Sequence, residues 1–518
     1  MQSYNLIIGL VSGLSEIESK ILLRSIKGQF RISNRLLDMY EIIVVKKQYD
    51  FNKVINYIYR NENSKSLDAF RKLCERFLDV VFVSLVSHEI FEVDREKYSD
   101  IFYNRKWVRS RLNIMQVIGL KSIRVEDRVK FAKEIEIICR KFEFLEELIL
   151  VLQELIPLYA MINSIKEMNY YENDLLLQSS HLSDKIVSDL YVHKFISSIQ
   201  HYSLDNKSIT NDIAEAIIHV TKLRNKSPLL NIQFNLLMLR LQYSHFVEDF
   251  EAAEKIMHEI IDITNNNVCL KYFSRVALNY MNLAYTQFFL GKFEEAYQSS
   301  LLASVKSVNS LLNHNLYRES GVFALIYLRD YISADNLVED ILSSKDSGNY
   351  PNEYSKRKLM HAFVKYLRGD YKTAFLLLQD TKEIESDREG WNLGIRMLNI
   401  YLTLSTEKVD LADQRIGSMR KHIERTSKLR NLRKRDMVIF RILSHLSRSG
   451  FDFKETWEER AKDFDLLRKG GGDYRWIPRS HELIVFDQWF EAKMNGKPYD
   501  PVFPKPEPSS LVEKKTEN

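Results

Sequence analysis

Five short segments of the chain share one pattern, and this pattern restricts the fold more than any other feature of the sequence. Four of them are EDFEAA, GKFEEA, RDYISA and GDYKTA, and in each an aromatic residue precedes an alanine by three positions. A fainter copy, EKVDLA, has Val409 and Ala412 at these places. The aligned alanines are Ala253, Ala296, Ala334, Ala374 and Ala412, at intervals of 43, 38, 40 and 38 residues. Such intervals are typical of stacked helical hairpins.

Each residue type in the pattern has a mechanical role. Gly291 and Gly369 suit the turn after a first helix, because glycine adopts the left-handed conformation without steric cost. The aromatic residue begins the second helix and fills the space between the partners, while the alanine lets two helix backbones approach closely. One hairpin cannot bury its own apolar face, so we expect successive hairpins to stack.

The rest of the chain also has a helical pattern. Apolar residues recur at spacings of three and four between about residues 10 and 468, and this period indicates helices. Only 16 glycines and 9 prolines occur in 518 residues, which disfavours turn-rich β architectures. We therefore predict an all-α fold with essentially no sheet. In the opening part, the predicted helices are Ser15–Lys27, Ser33–Lys46, Phe51–Tyr59 and Leu67–Ser87.

The segment NLAYTQFFLGKFEEAYQSSLLA resembles the tetratricopeptide repeat (TPR) family. The matching positions are the pair Leu283 and Ala284, the turn residue Gly291, the aromatic Phe293, and the later small residues Ala296 and Ala303. The segment AFVKYLRGDYKTA repeats the match through Ala362, Gly369, Tyr371 and Ala374. The units are longer than the 34 residues of the family. The resemblance implies a right-handed α-solenoid of TPR-like helical hairpins.

Composition changes along the chain predict its organisation. We expect an N-terminal helical domain over residues 1–105 and a TPR-like solenoid over 106–468, with the clearest repeats in 228–420. After RKGGGDY, residues 469–497 are expected to form a linker and a C-terminal capping helix, because SHELIVFDQWFEAKM (480–494) has one apolar side. Residues 498–518 are Pro-rich and charged, which predicts a disordered tail.

The resemblance also implies where a partner binds. In the TPR family, the first helix of each pair lines a groove in which ligand peptides lie. Carried over by position, this implies a partner-binding column of Gln242, Asn282, Tyr285, Phe323, Phe363 and Tyr401, with His245, Phe288, Ile326, Tyr366 and Leu404 one helical turn further on. The alternative interpretation is that these side chains are buried between the repeats.

Two basic regions allow an anionic partner. RIGSMRKHIERTSKLRNLRKRD is the densest, and its Arg420, Lys421, Arg425 and Lys428 would cover one side of a helix, where they could contact phosphates or an acidic protein surface. The alternative is a solvated helix face. The N-terminal helices could likewise present Lys65, Arg71, Lys72 and Arg76 to nucleic acid, or they could be an irregular capping domain of the solenoid.

Several classes of function lack a sequence signal. The sequence contains no metal-ligand spacing, no Gly-rich phosphate loop before Lys-Ser/Thr and no nucleophile elbow. We therefore expect no enzyme, no cofactor and no metal. The net charge of +5 is small for this length, so overall charge does not imply nucleic acid. The most apolar run, Leu145–Ile162, contains three glutamates and a proline, so we expect no membrane partner.

These observations favour one function and leave two alternatives. Three separate cysteines without paired spacing indicate reduced thiols and a cytoplasmic protein. We expect a non-enzymatic interaction scaffold or adaptor that binds a peptide or a partner helix along the solenoid surface. One alternative is a nucleic-acid-associated regulator with an N-terminal helical DNA-binding module and a ligand-sensing repeat domain. The other is a structural subunit of a larger assembly.

Overall fold

The regular structure of the described chain is helical. The computed structural model describes residues 2–12, 14, 16–28, 34–59, 64–86, 99–119, 124–200, 206–307, 310–344, 350–385, 387, 390–427, 432–478 and 480–504. Within these ranges there is no β-strand. The predicted all-α class is therefore confirmed.

The first helices of the chain include the four predicted ones, whose observed bounds lie within a few residues of the predicted bounds. Their bounds are Gln2–Ser12, Glu16–Lys27, Asn34–Tyr40 followed by a π-helical turn at Glu41–Val45, Phe51–Tyr59, Ser64–Val86, Asp100–Gly119, Val125–Lys141, Leu145–Met161 and Ile165–Gln200. The helix Gln2–Ser12 adds to the prediction, and it forms because Tyr4, Ile7 and Val11 bury one face.

The later helices follow the rhythm of paired elements. Their bounds are Asn206–Lys226, Leu230–Phe246, Phe250–Asn266, Phe273–Phe289, Phe293–Lys306, Leu311–Tyr327, Tyr331–Ser343, Pro351–Leu367, Tyr371–Gln379, Trp391–Ser405, Val409–Ser427, Lys434–Arg448, Phe453–Glu459, Ala461–Lys469 and Phe486–Met494, with a short 3₁₀ turn at Gly472–Tyr474. Each predicted aromatic, together with Val409, begins a second helix. The described helices are each too short or too polar to cross a lipid bilayer.

The chain divides into two compact units. One comprises Met1–Leu190, Lys222–Phe234 and Ile263–Arg275, and the other comprises Tyr191–Thr221, Asn235–Asp262 and Val276–Asn518. The first unit contains two hydrophobic clusters, one built from residues between Tyr4 and Val81 and one from residues between Ile101 and Tyr171. The second cluster begins at Ile101, so the proposed boundary at residue 105 falls inside the helix Asp100–Gly119. The boundary stays a prediction.

The five repeat turns have one backbone geometry. The residue five positions before each aligned alanine is left-handed, with φ between 57° and 77°; these residues are Glu248, Gly291, Arg329, Gly369 and Glu407. The next amide then donates to a carbonyl five residues back, as in Lys292 N to Gln287 O at 2.9 Å and Asp370 N to Lys365 O at 3.0 Å. A left-handed residue followed by this hydrogen bond is typical of the Schellman motif, which satisfies the last carbonyls of the first helix.

The second helix of each hairpin starts directly after the turn. Asp330 and Asp370 occupy its N-cap, and their carboxylates accept from Ser333 N at 3.0 Å and Thr373 N at 3.1 Å, which stabilises the first turn of the helix. The five aligned alanines are all buried, with at most 3% of their surface exposed. The predicted solenoid of TPR-like hairpins is thus confirmed by the turns and by the packing of the small residues.

The C-terminal part differs from the prediction. The last helix is Phe486–Met494 and is shorter than the expected 480–494, because residues 480–485 run without helical structure against neighbouring helices. The predicted disordered tail is wrong for residues 498–504, in which Tyr499 is buried and Phe503 packs against four aromatic rings of the repeats. Residues 505–518 lie outside the described residues.

Candidate peptide-binding surface

The predicted partner-binding column divides into buried and half-buried members. Gln242, Phe363 and Tyr401 are at most 6% exposed, so they belong to the packed interior of the described chain. Asn282, Tyr285 and Phe323 are half-buried. The column therefore corresponds in part to each of the two interpretations, with core side chains at Phe363 and Tyr401 and accessible ones nearer to Tyr285.

Aromatic rings continue from one hairpin to the next around Tyr285. The Tyr285 ring lies 5.2 Å from the His245 ring and 4.7 Å from the Phe289 ring. Phe289 in turn stacks on Phe250 at 4.6 Å. Edge-to-face and offset-stacked rings add favourable contacts beyond the area they bury, so these rings help to hold one hairpin against the next.

The residues after the last paired helices return along these hairpins. We define the C-terminal segment as residues 475–478 and 480–504. Its Trp489 is fully buried, lies 4.4 Å from the Tyr401 ring and donates from Nε1 to the Tyr366 hydroxyl at 2.9 Å. Phe490 lies 4.9 Å from both Phe453 and Phe464. The helix Phe486–Met494 thus packs on the last helices, as a cap would, and also reaches two earlier repeats.

Phe503 occupies an aromatic box on the repeats. The ring lies 5.1 Å from Phe288, 5.2 Å from Tyr327 and 5.6 Å from Phe293, in each case close to edge-to-face. The three box residues also contact one another, with Phe293 stacked on Tyr327 at 5.3 Å. We call Phe288, Phe293 and Tyr327 the aromatic box.

Polar contacts hold the residues before Phe503. Asp500 forms an ion pair with Arg329 at 2.8 Å and accepts from the Tyr331 hydroxyl at 2.9 Å. The Gln488 side chain donates from Nε2 to Val502 O at 2.8 Å and accepts from Val502 N at 3.0 Å. This paired contact satisfies both backbone groups of one residue in extended chain.

The three charged residues at the left-handed turn positions all interact electrostatically with the C-terminal segment. Arg329 pairs with Asp500, and Glu248 forms an ion pair with Arg475. Burial lowers the pKa of Lys493, and the charge of Glu407 acts against that shift. Each charge on the turn therefore has an opposite charge on the segment. A glycine would relieve the left-handed strain at these positions but would remove the contact.

A buried ion cluster anchors the start of the segment. Arg435 is fully buried, and its guanidinium donates to Glu482 through two bonds of 2.7 and 2.8 Å and to the carbonyls of Leu467 and Tyr474. Burial alone would lower the pKa of Arg435, but the charges of Glu482 and Asp487 raise it above its usual value. The guanidinium therefore stays charged and fully paired.

Sequence reasoning placed Arg435 in a basic surface stretch and did not identify this role. The signal was absent because Glu482 lies 47 residues further along the chain. Arg415 is likewise used internally, since it donates to Asn399 O at 2.8 Å and lies over the Phe375 ring.

The predicted anionic-partner residues remain on the surface where they are described. Arg420, Lys421 and Arg425 are exposed on the helix Val409–Ser427, and Lys428 lies outside the described residues. At the N-terminus, Arg71 and Lys72 lie 3.6 and 3.4 Å from the carboxylate of Asp68. Such exposed pairs reduce the charge available for a phosphate.

One group of side chains has the composition of a metal site. Ligand atoms of Asp335, Glu339 and His361 lie within 4.8 Å of one another. However, Lys365 pairs with Asp335 at 2.7 Å and with Glu339 at 3.0 Å, and Arg368 also pairs with Asp335. Burial lowers the pKa of His361. Since two cationic side chains already balance the two carboxylates, we interpret this group as an ion-pair network between hairpins.

Comparisons with known proteins give only weak structural likenesses. No protein-family model matches the chain, and no curated protein matches it. Among solved structures, the chain is similar to a Signal Transduction ATPase with Numerous Domains (STAND) protein with a tetratricopeptide repeat sensor from Pyrococcus horikoshii, with a TM-score of 0.31 and 13% identity. The match covers 73% of this chain and 64% of that one.

Proposed function

We propose that this protein is a non-enzymatic interaction scaffold or adaptor whose repeat hairpins bind a peptide or a partner helix. One observation carries the proposal: the hairpins between Phe288 and Tyr401 already hold the C-terminal segment, through Phe503 and Trp489. In that segment, the described residues before and after the helix Phe486–Met494 have no regular secondary structure. A surface that holds an irregular stretch of chain by aromatic anchors has the chemistry of peptide recognition.

The half-buried part of the column is the proposed entry for a partner. Asn282 supplies an amide, and Tyr285 supplies a ring and a hydroxyl on the same helix, Phe273–Phe289. Phe323 packs beside the box that holds Phe503. A partner along these three residues would extend the surface that the C-terminal segment occupies.

The test compares partner recovery by matched variants of the full-length chain. Proteins bound to the chain are isolated from its native cells and quantified for wild type, Asn282→Ala, Tyr285→Ala and the control Leu302→Ala. Leu302 is 45% exposed on the second helix of the same hairpin. We expect Asn282→Ala and Tyr285→Ala to reduce a specific partner at least tenfold, with less than a twofold effect of Leu302→Ala.

The melting temperature separates binding from folding in this test. If Tyr285→Ala unfolds the chain, that ring is part of the core and Asn282→Ala decides the outcome. A partner retained equally by all variants contradicts binding along this surface. A gel-shift titration addresses the nucleic-acid regulator: the scaffold predicts no complex with DNA or RNA whose affinity falls steeply with salt.

A further inference from the structure

We propose that the aromatic box together with Arg329 and Tyr331 is a recognition subsite for an extended peptide with an acidic residue three positions before a phenylalanine. The proposal rests on the proposed function, since it assumes that the repeats bind a peptide. Residues 500–504 of the chain, DPVFP, occupy this subsite and show the chemistry that it accepts.

The subsite has two parts at a fixed separation. The box receives the phenylalanine ring, and its three rings are held by mutual contacts of 5.3 to 5.7 Å. The Arg329 guanidinium and the Tyr331 hydroxyl receive the two oxygens of one carboxylate, at 2.8 and 2.9 Å. Because both parts lie on rigid helices and their turn, they select for the spacing of the acid and the ring.

The backbone of Arg329 supports a recognition role. This arginine is left-handed, with φ of 62°, at a position where two of the five repeats have glycine. A long charged side chain is an unfavourable choice there on conformational grounds. The carboxylate of Asp500, which Arg329 binds, gives a reason for an arginine at this position.

Most of residues 500–504 are less buried than the core-facing side chains of the helix before them. Trp489, Phe486 and Phe490 are fully buried, whereas Val502 is 59% exposed and the Arg329–Asp500 pair is open to solvent. Exposed ion pairs contribute little to stability, and segments with few buried contacts open locally. A peptide in trans can therefore replace residues 500–504 while Phe486–Met494 stays in place.

The test measures binding of a peptide to a chain whose own residues have left the subsite. The probe is a fluorescein-labelled DPVFPK peptide, and the protein is the full-length chain with Asp500→Asn and Phe503→Ala, here called the vacated chain. We expect saturable binding by fluorescence anisotropy to the vacated chain. Wild type should bind at least tenfold more weakly, because its own tail is tethered at high effective concentration.

Peptide and protein variants then test each part of the subsite. Alanine in place of the peptide's phenylalanine, or asparagine in place of its aspartate, should weaken binding to the vacated chain at least tenfold and threefold, respectively. Adding Arg329→Gln to the vacated chain should make the aspartate and asparagine peptides bind equally. The control Arg240→Gln, at an exposed arginine of the helix Leu230–Phe246, should preserve the difference.

Three results would overturn the proposal. The first is a folded vacated chain that does not bind the peptide, and the second is equal binding of all the peptides. The third is a dimer formed on mixing wild-type and vacated chains, because a dimer would assign the subsite to a second copy of the chain. If the double variant does not fold, the chain with Asp500→Asn alone replaces it. Partner recovery that depends on Asn282 without any peptide binding would reject this subsite and leave the proposed function intact.

Discussion

At the scale of single residues, the same backbone position serves two purposes in the repeats. Gly291 and Gly369 adopt the left-handed conformation and have open space around them. Glu248, Arg329 and Glu407 adopt it as well and direct charges to the C-terminal segment. The turn is therefore a structural element in all five repeats, and in two of them it also forms an ion pair with the segment.

Two glycines allow a test of the turn geometry. Gly369→Ala should destabilise the protein by about 1 kcal/mol, because the left-handed conformation costs conformational energy for alanine but not for glycine. Gly417→Ala should stabilise it by a similar amount, because Gly417 lies inside the helix Val409–Ser427 with open space around it. Denaturant unfolding of both variants measures the difference, and a shift of the same sign in both would contradict the assignment of the turn.

Two histidines whose pKa values are lowered by desolvation predict a pH dependence of stability. Burial lowers the pKa of His245 and of His422 to about 4, whereas an unfolded histidine has a pKa of about 6.5. The unfolded chain therefore binds more protons between these values, so stability is complete above pH 6.5 and is lost as the pH falls toward 4. Each histidine should cost about 1 kcal/mol at pH 5, after allowance for partial exposure.

The measurement is the denaturant midpoint at pH 7 and pH 5. His245→Gln should reduce the difference between the two midpoints, because the side chain that resists protonation is gone. His193→Gln, at an exposed position, is the matched control and should leave the difference unchanged. An equal difference in wild type and His245→Gln would contradict the effect assigned to His245.

At the scale of secondary structure, the helices follow from local sequence and the C-terminal segment does not. Period and turn residues predicted Phe51–Tyr59 and the starts of the second helices, because those signals lie within a few residues of each other. The non-helical path of residues 480–485, just before the helix Phe486–Met494, depends on contacts with Arg435 and Gly394, which are distant in sequence. A local sequence pattern therefore could not predict the path of the C-terminal segment.

Gly394 shows how closely that segment approaches a helix. A Cβ atom at Gly394 would lie 2.3 Å from the backbone oxygen of His481. Gly394→Ala should therefore displace residues 480–485 and destabilise their docking by about 1–3 kcal/mol. Limited proteolysis should cut this region faster in Gly394→Ala than in Gly417→Ala, which has open space. Equal protection in the two variants would contradict the close approach.

At the scale of the whole molecule, repetition was predictable and its use was not. The five alanines predicted stacked hairpins, and their burial agrees. The partner-binding column was derived from the resemblance to the TPR family, and Phe363 and Tyr401 lie in the packed interior. Trp489 packs on Tyr401 and lies 88 residues further along the chain. The sequence placed Trp489 in a capping helix but did not predict its contact with Tyr401. Tertiary contacts of that separation leave no periodic signal.

The central claim is that the repeat hairpins bind a stretch of polypeptide, at present their own C-terminal segment. Amide hydrogen exchange of the full-length chain tests it directly, because the Val502 amide donates to Gln488 while Asp500 and Phe503, on either side of it, contact the repeats. We predict that peptides covering residues 497–504 exchange at least tenfold more slowly in wild type than in the chain with Asp500→Asn and Phe503→Ala, while the helix Phe273–Phe289 exchanges equally in both. Exchange of residues 497–504 in wild type at the rate of an unstructured peptide would contradict the account.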